Sequence, residues 1–191
     1  MRASFFSESV RELAISASGA KAGELAADIG AGSGFITEGL VTRGLSVIAV
    51  DQSEAMLREL KRKLASAGTV DCRIGDALAL PISNDSVDYA FSNMCLHHVD
   101  NPSRGVKEMA RVVKPGGKVV ITDLVEHDFE FLKDECHDHW LGFKKESVRR
   151  WFKAAGLTGV SVRSTRERCL SSSSCGHCRA NVGIFLAVGE K

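Results

Sequence analysis

Ala27-Asp28-Ile29-Gly30-Ala31-Gly32-Ser33-Gly34 follows the apolar run Leu25 to Ile29 and precedes helical spacing over 34–43. It therefore reads as the turn that joins a first strand to a first helix. Three glycines at alternate positions leave no Cβ in the way, so the backbone bends tightly and a ligand approaches it closely. The spacing is G-x-G-x-G, with Phe35 where the dinucleotide fingerprint G-x-G-x-x-G requires glycine, and this disfavours a nicotinamide-dependent oxidoreductase. Asp51 lies 21 residues beyond Gly30, at the end of the next apolar run, Ser46 to Val50. A carboxylate there accepts hydrogen bonds from both hydroxyls of a ribose. Asp28 adds negative charge that repels a diphosphate and favours an ammonium group. The ligand expected is a nucleoside joined to an amino acid.

Beyond this turn, apolar runs at Val70 to Ile74, Val87 to Phe91 and Lys118 to Thr122 alternate with helical patterns at 53–66 and 103–113. Strand–helix alternation implies a parallel sheet with right-handed crossovers. Lys114-Pro115-Gly116-Gly117 forms a turn before the fifth strand. Upstream, within 1–20, Ser9 and Glu12 suggest a capping box, Val10, Leu13, Ala14 and Ala17 an apolar stripe, and Gly19 a C-cap. Downstream, Val125, Phe129, Leu132, Cys136 and Trp140 recur at spacings of three and four, which predicts a lid-like amphipathic helix within 124–143. A further helix carries Val148, Trp151, Phe152 and Ala155 and ends at Gly156. Two last strands, Thr158 to Ser164 and Asn181 to Val188, flank a Ser-, Cys- and Arg-rich loop over 165–180.

The chain has 191 residues, 44% apolar and 26% charged, which suits a single globular domain over 1–191. Its formal net charge of +1 is scattered and forms no basic footprint, so nucleic acid is not the expected partner. No run approaches the roughly 18 apolar residues of a membrane span, and Met1 to Phe6 lacks a signal-type apolar region. The six cysteines then suit a reducing, cytoplasmic setting. Oligomeric state is not legible.

Five motifs in order cover about residues 25–125: the glycine turn; Asp51; Gly75-Asp76-Ala77; Asp88-Tyr89-Ala90-Phe91-Ser92-Asn93; and Arg111-Val112-Val113-Lys114-Pro115-Gly116-Gly117. In these the chain resembles a class I S-adenosylmethionine-dependent methyltransferase of the ubiquinone and menaquinone methylase branch. The resemblance implies an α/β Rossmann-like fold with a seven-stranded, mostly parallel sheet, an antiparallel last strand and helices on both faces. It also implies that Asp28, Gly30, Ala31, Gly32 and Gly34 hold the methionine part of S-adenosylmethionine. Asp51 and Gln52 would hold the ribose, Asp76 and Ala77 the adenine, and Asn93 and Met94 would lie beside the sulfonium. A small-molecule methyl acceptor is the expected substrate.

Ligands of open parallel sheets lie outside the carboxyl ends of the strands, where Asn93-Met94-Cys95-Leu96-His97-His98 should face the donor. His97 is the candidate general base for an acceptor proton; His98 reads as structural, though close enough, like Cys95, to touch the acceptor. Asp138 to Phe143 is similar to a segment of methyltransferases fused to arsenic-responsive repressors, so Trp140 or Phe143 closes a lid or packs in the core. Cys169, Cys175 and Cys178, with the C-x-x-C at 175–178, offer thiolates to a thiol-type or metalloid acceptor, or to zinc with His177. Arsenite methyltransferases use cysteines in this way, but their N-terminal cysteine segment has no counterpart here. Cys72 and Cys136 read as core residues. A non-catalytic metal or metalloid binding protein on the same fold is the alternative, and whether a metal is bound stays open.

Overall fold

The computed structural model describes residues 7–65, 69–174 and 178–191. Its strands are β1 (Leu25–Ile29), β2 (Ser46–Asp51), β3 (Val70–Ile74), β4 (Val87–Asn93), β5 (Val113–Leu124), β6 (Thr158–Ser172) and β7 (Arg179–Glu190). They form one sheet in the order β3-β2-β1-β4-β5-β7-β6. Strands β1 to β5 pair in parallel, and β7 runs antiparallel to both β5 and β6. The expected seven-stranded Rossmann-like sheet is therefore present.

The helices are α1 (Glu8–Ser18), α2 (Phe35–Thr42), α3 (Glu54–Lys63), α4 (Pro102–Val112), α5 (Phe131–Cys136) and α6 (Lys145–Ala154). Side chains alternate across a strand, and the core divides accordingly. Ala27, Ile29, Val119, Ile121 and Phe185 pack with Val106, Met109, Val148 and Phe152 of α4 and α6. Ala26, Val120 and Leu186 face the other way, onto Ala14, Ile15, Ile36 and Leu40 of α1 and α2. Buried sheet positions on both faces explain the near-continuous apolar runs.

Two family motifs serve as fasteners at the opposite end of the sheet from the glycine turn. The Asp88 carboxylate accepts the Leu25 N–H at 2.9 Å and the Lys114 ammonium at 2.8 Å, tying β4 to β1 and β5. Arg111 donates to the carbonyls of Leu80 and Ile82, which anchors the segment after β3.

Four expectations need correction. Helix α1 begins at Glu8 with Ser7 as N-cap, so Ser9 and Glu12 make no capping box; Gly19 does end it, at φ 72°. Strand β5 starts at Val113, which pairs with Val87 ahead of the Pro-Gly-Gly bulge. The long helix over 124–140 is absent. Val125 instead donates to the Gly183 carbonyl at 2.8 Å and bridges Phe143, and the backbone of Glu126 and His127 bonds to Phe143 and Leu141. Only α5 remains helical, and it ends at His137 with φ 59°. The three-and-four spacing is still buried, since Leu132, Phe129 and Cys136 pack against Ala180, Val182 and Cys169 of the β6–β7 hairpin. Finally, most of the supposed loop 165–180 is strand: Cys169 pairs with Val182 and Ser172 with Arg179. Among the described residues no helix is long and apolar enough to cross a membrane.

Candidate active site

At the carboxyl ends of β1, β2, β3 and β4 lies a cavity of about 550 Å3 lined by Gly30, Gly32, Asp51, Gln52, Asp76, Ala77, Met94, Cys95 and His98, with Met56, Asp100 and His139. A second hollow, about 320 Å3, lies against Lys118, Gly159, Arg163 and Val188, far along the sheet from these strand ends. The glycine turn is bound to its neighbour: Gly30 and Ala31 both donate to the Val50 carbonyl, at 2.9 and 3.1 Å. Gly30 sits at φ 70°, and a Cβ there would stand 2.3 Å from the Cys95 Sγ, so this position demands glycine for conformation and for space.

Asp51 closes the turn from the tip of β2. Its Oδ2 accepts the Gly32 N–H and its Oδ1 the Ser53 N–H, both at 2.8 Å. Each oxygen keeps one more lone-pair direction for an incoming hydroxyl. Asp76, beyond β3, accepts the Leu78 N–H at 2.8 Å. Asp28 does not line the cavity. It is buried, and its Oδ2 accepts the Thr37 amide at 3.0 Å and the Thr37 hydroxyl at 2.6 Å, so it anchors the first turn of α2. Burial pushes its carboxyl up to about 6 against the pull of those two bonds.

The two histidines after β4 take opposite positions. His97 is buried, and its Nδ1 lies 2.6 Å from Oδ1 of Asp123, while its Nε2 lies 3.8 Å from Oδ1 of Asp138. Burial opposes charge on the ring, but the flanking carboxylates of Asp123 and Asp138 outweigh it and raise the pKa. His97 does not line the cavity, whereas the sequence reading made it the general base that meets the acceptor. His98 is the ring that reaches the cavity. Its Nδ1 contacts the His137 carbonyl at 3.2 Å, and burial together with neighbouring His97 lowers its pKa. Asp123, fully buried, also accepts the N–H groups of Leu96 and Leu124, at 2.9 and 2.7 Å, and so joins the loop after β4 to the end of β5.

A family model described as a methyltransferase domain matches residues 27–121, which include every lining residue of this cavity but His139. A demethylmenaquinone methyltransferase of Renibacterium salmoninarum is 37% identical over 119 residues, 62% of this chain and 49% of that protein. The chain belongs to the class I S-adenosylmethionine-dependent methyltransferases. Its architecture matches the Bacillus subtilis YcgJ protein with a TM-score of 0.80 at 17% identity, over 97% of this chain and 99% of that one. It also matches a Haemonchus contortus phosphoethanolamine N-methyltransferase 2, solved in complex with S-adenosyl-L-methionine, with a TM-score of 0.79 at 20% identity over 96% of this chain and 52% of that one. The chain spans half or less of the length of the first curated relatives it matches.

Not every candidate residue of the methyltransferase meets the cavity. Gly30, Gly32, Asp51, Gln52, Asp76, Ala77, Met94, Cys95 and His98 do; Asp28, Ala31, Gly34, Asn93 and His97 do not. Asn93 instead accepts the Thr122 hydroxyl at 2.8 Å, between β4 and β5. Trp140 is 44% exposed, and its indole donates at 2.9 Å to the carbonyl of Val99, a cavity residue; Phe143 is buried beside it. Cys95 is a poor source of thiolate, because burial and the Asp123 carboxylate push it up to about 12. Cys169 is pushed up to about 11 by burial, with Asp138 and Cys136 adding to the shift. Cys178 is exposed, Cys72 and Cys136 are only half-buried, and Cys175 lies outside the described residues. Sequence reasoning passed over Asp123 and Asp138. A lone carboxylate ending the buried run Val119 to Thr122, and an aspartate between His137 and His139, were the available signals.

Proposed function

We propose that this methyltransferase holds S-adenosylmethionine in the 550 Å3 cavity and passes its methyl group to a small-molecule acceptor. The observation that carries this reading is the convergence of Gly30, Gly32, Asp51 and Asp76 with Met94 and His98 around one space. Asp51 grips the ribose diol and Gln52 and Ala77 complete the nucleoside wall. The acceptor's lone pair attacks the sulfonium methyl in line, the carbon–sulfur bond electrons return to sulfur, and the acceptor loses a proton. No covalent enzyme intermediate is needed, and catalysis comes mostly from alignment and exclusion of water. Cys72, Cys95, Cys169 and Cys178 are free thiols, which suits a cytoplasmic setting.

Relatives named for methylation of demethylmenaquinone, of 2-methyl-6-phytyl-1,4-hydroquinone and of malonyl-[acyl-carrier protein] make quinols and carboxylates the first acceptors to try. Calorimetry should give one S-adenosylmethionine site per chain. Labelled donor incubated with quinols, carboxylates, amines, thiols and arsenite should yield S-adenosylhomocysteine with one class. Tight donor binding with no turnover on any of them would leave a binding protein instead.

A soft acceptor, a thiol or a cysteine-held metalloid, is the second reading. Cys136 and Cys169 support it, because they pack against the same apolar cluster as the cavity residue Met94. Replacing Cys169, Cys175 and Cys178 by Ser should then abolish turnover on arsenite while sparing donor binding.

A further inference from the structure

We propose that His97, His98 and Asp138 form a binding site for one divalent transition-metal ion, open on the side of the cavity. Their ligand atoms already gather: His97 Nε2 and His98 Nδ1 each lie 3.8 Å from Asp138 Oδ1, and all three lie within 4.8 Å of one another. Ligand bonds of about 2.0 to 2.2 Å set neighbouring donors roughly 3.3 to 3.6 Å apart in a tetrahedral site. Only small closing movements are required, and His98 Nδ1 exchanges its contact with the His137 carbonyl for the metal.

Two further features favour an ion here. The 2.6 Å contact between His97 Nδ1 and Asp123 fixes that nitrogen as the N–H donor and leaves Nε2 facing Asp138, the carboxylate–histidine–metal arrangement of ligating imidazoles. Charge is the second. Asp123 and Asp138 have side chains 0% and 3% exposed, and among the described residues only histidines pair with either. Two buried carboxylates paired with imidazoles alone make a poorly solvated setting that a divalent ion suits. Two imidazoles and one carboxylate suit Zn2+, Co2+ or Ni2+ better than Mg2+ or Ca2+. Three protein ligands leave a coordination position, and because His98 lines the cavity this position faces the acceptor side.

The test uses metal-stripped full-length chain without S-adenosylmethionine, so its outcome is independent of the methyl-transfer reading. Zn2+ titrated against a chromophoric chelator should give one site per chain, and Co2+ should give the intense visible bands of a low-coordinate ion. His98→Ala and Asp138→Ala should each remove the site. Asp123→Asn should weaken it about 10- to 100-fold by loosening His97. Circular dichroism melts identify variants that fail to fold, and the exposed His98 makes His98→Ala the decisive one. No Zn2+ bound by the wild type overturns the proposal. So does a site that survives both His98→Ala and Asp138→Ala, or one that disappears only when Cys169, Cys175 and Cys178 become Ser.

Discussion

Asp51 Oδ2 accepts the backbone N–H of Gly32 at 2.8 Å, so the tip of β2 holds the glycine turn of β1 in place from across the cavity mouth. One carboxylate thus shapes the turn and presents its remaining lone pairs to a ligand. Asp51→Asn keeps the size and loses the charge-assisted bonds. We expect donor binding to weaken by about 1 to 3 kcal/mol, measured by calorimetry. Unchanged affinity would remove Asp51 from the site.

Gly30→Ala tests the close approach of Cys95. The substituted residue must hold φ near 70° and accept a methyl group 2.3 Å from a sulfur atom. Strain in the left-handed region and overpacking together should cost at least about 2 kcal/mol of stability. Adding Cys95→Gly should recover only the overpacking share. Chemical denaturation of the two single variants and the double variant separates the two contributions, and a Gly30→Ala protein as stable as the wild type contradicts both.

Asp28 gives a pH dependence of definite sign. Its folded pKa, about 6, exceeds the ordinary aspartate value near 3.9 because burial penalises the charged form. The protonated form is the one folding favours, so the contribution to stability is complete below about pH 4 and is lost as pH rises through 6. Over that window the wild type should lose about 3 kcal/mol relative to Asp28→Asn, which has no proton to release. Urea unfolding of both proteins between pH 4 and 7.5 reads this difference directly; parallel profiles would falsify it.

Asp123→Ala removes the acceptor of His97 Nδ1 and of two backbone amides at once. It should destabilise the fold by about 3 to 5 kcal/mol, the range seen when one partner of a buried pair is deleted. Because the residual damage is a stranded imidazole, adding His97→Ala should cost less than it does in the wild-type background. A coupling below about 0.5 kcal/mol in that double-mutant cycle would show the pair to be independent.

The sequence was most legible where both faces of a strand are buried. The apolar run that predicts β1 has the observed limits, Leu25–Ile29, since no helix period competes with it. Legibility failed where tertiary pairing overrules local pattern. The spacing of Val125, Phe129 and Leu132 satisfies a helix, yet bonds from this segment to Gly183 and to 141–143 win its backbone. Strand β6 failed for another reason: it is an edge strand with one exposed face, so Arg166, Glu167, Arg168 and Ser172 give it the composition of a loop. In the site, residue types and spacing pointed to Gly30, Gly32 and Asp51, and the family resemblance to Asp76 and Ala77, all of which line the cavity. They did not tell which of two adjacent imidazoles turns inward, because that is decided by Asp123, 26 residues away from His97.

The bond network around Asp123 also has a mechanical meaning. By fastening Leu96, His97 and Leu124 to one side chain, it makes the ends of β4 and β5 a stiff anvil beside the cavity. The canopy from Glu126 to Leu141 is held by links spread along it: the short ladder to Phe143, the Trp140 clasp on Val99 and the Ser174 bonds to Glu135. One side chain thus clamps the floor while many separate stitches hold the roof, so a single substitution at Asp123 loosens more at once than any single substitution above it.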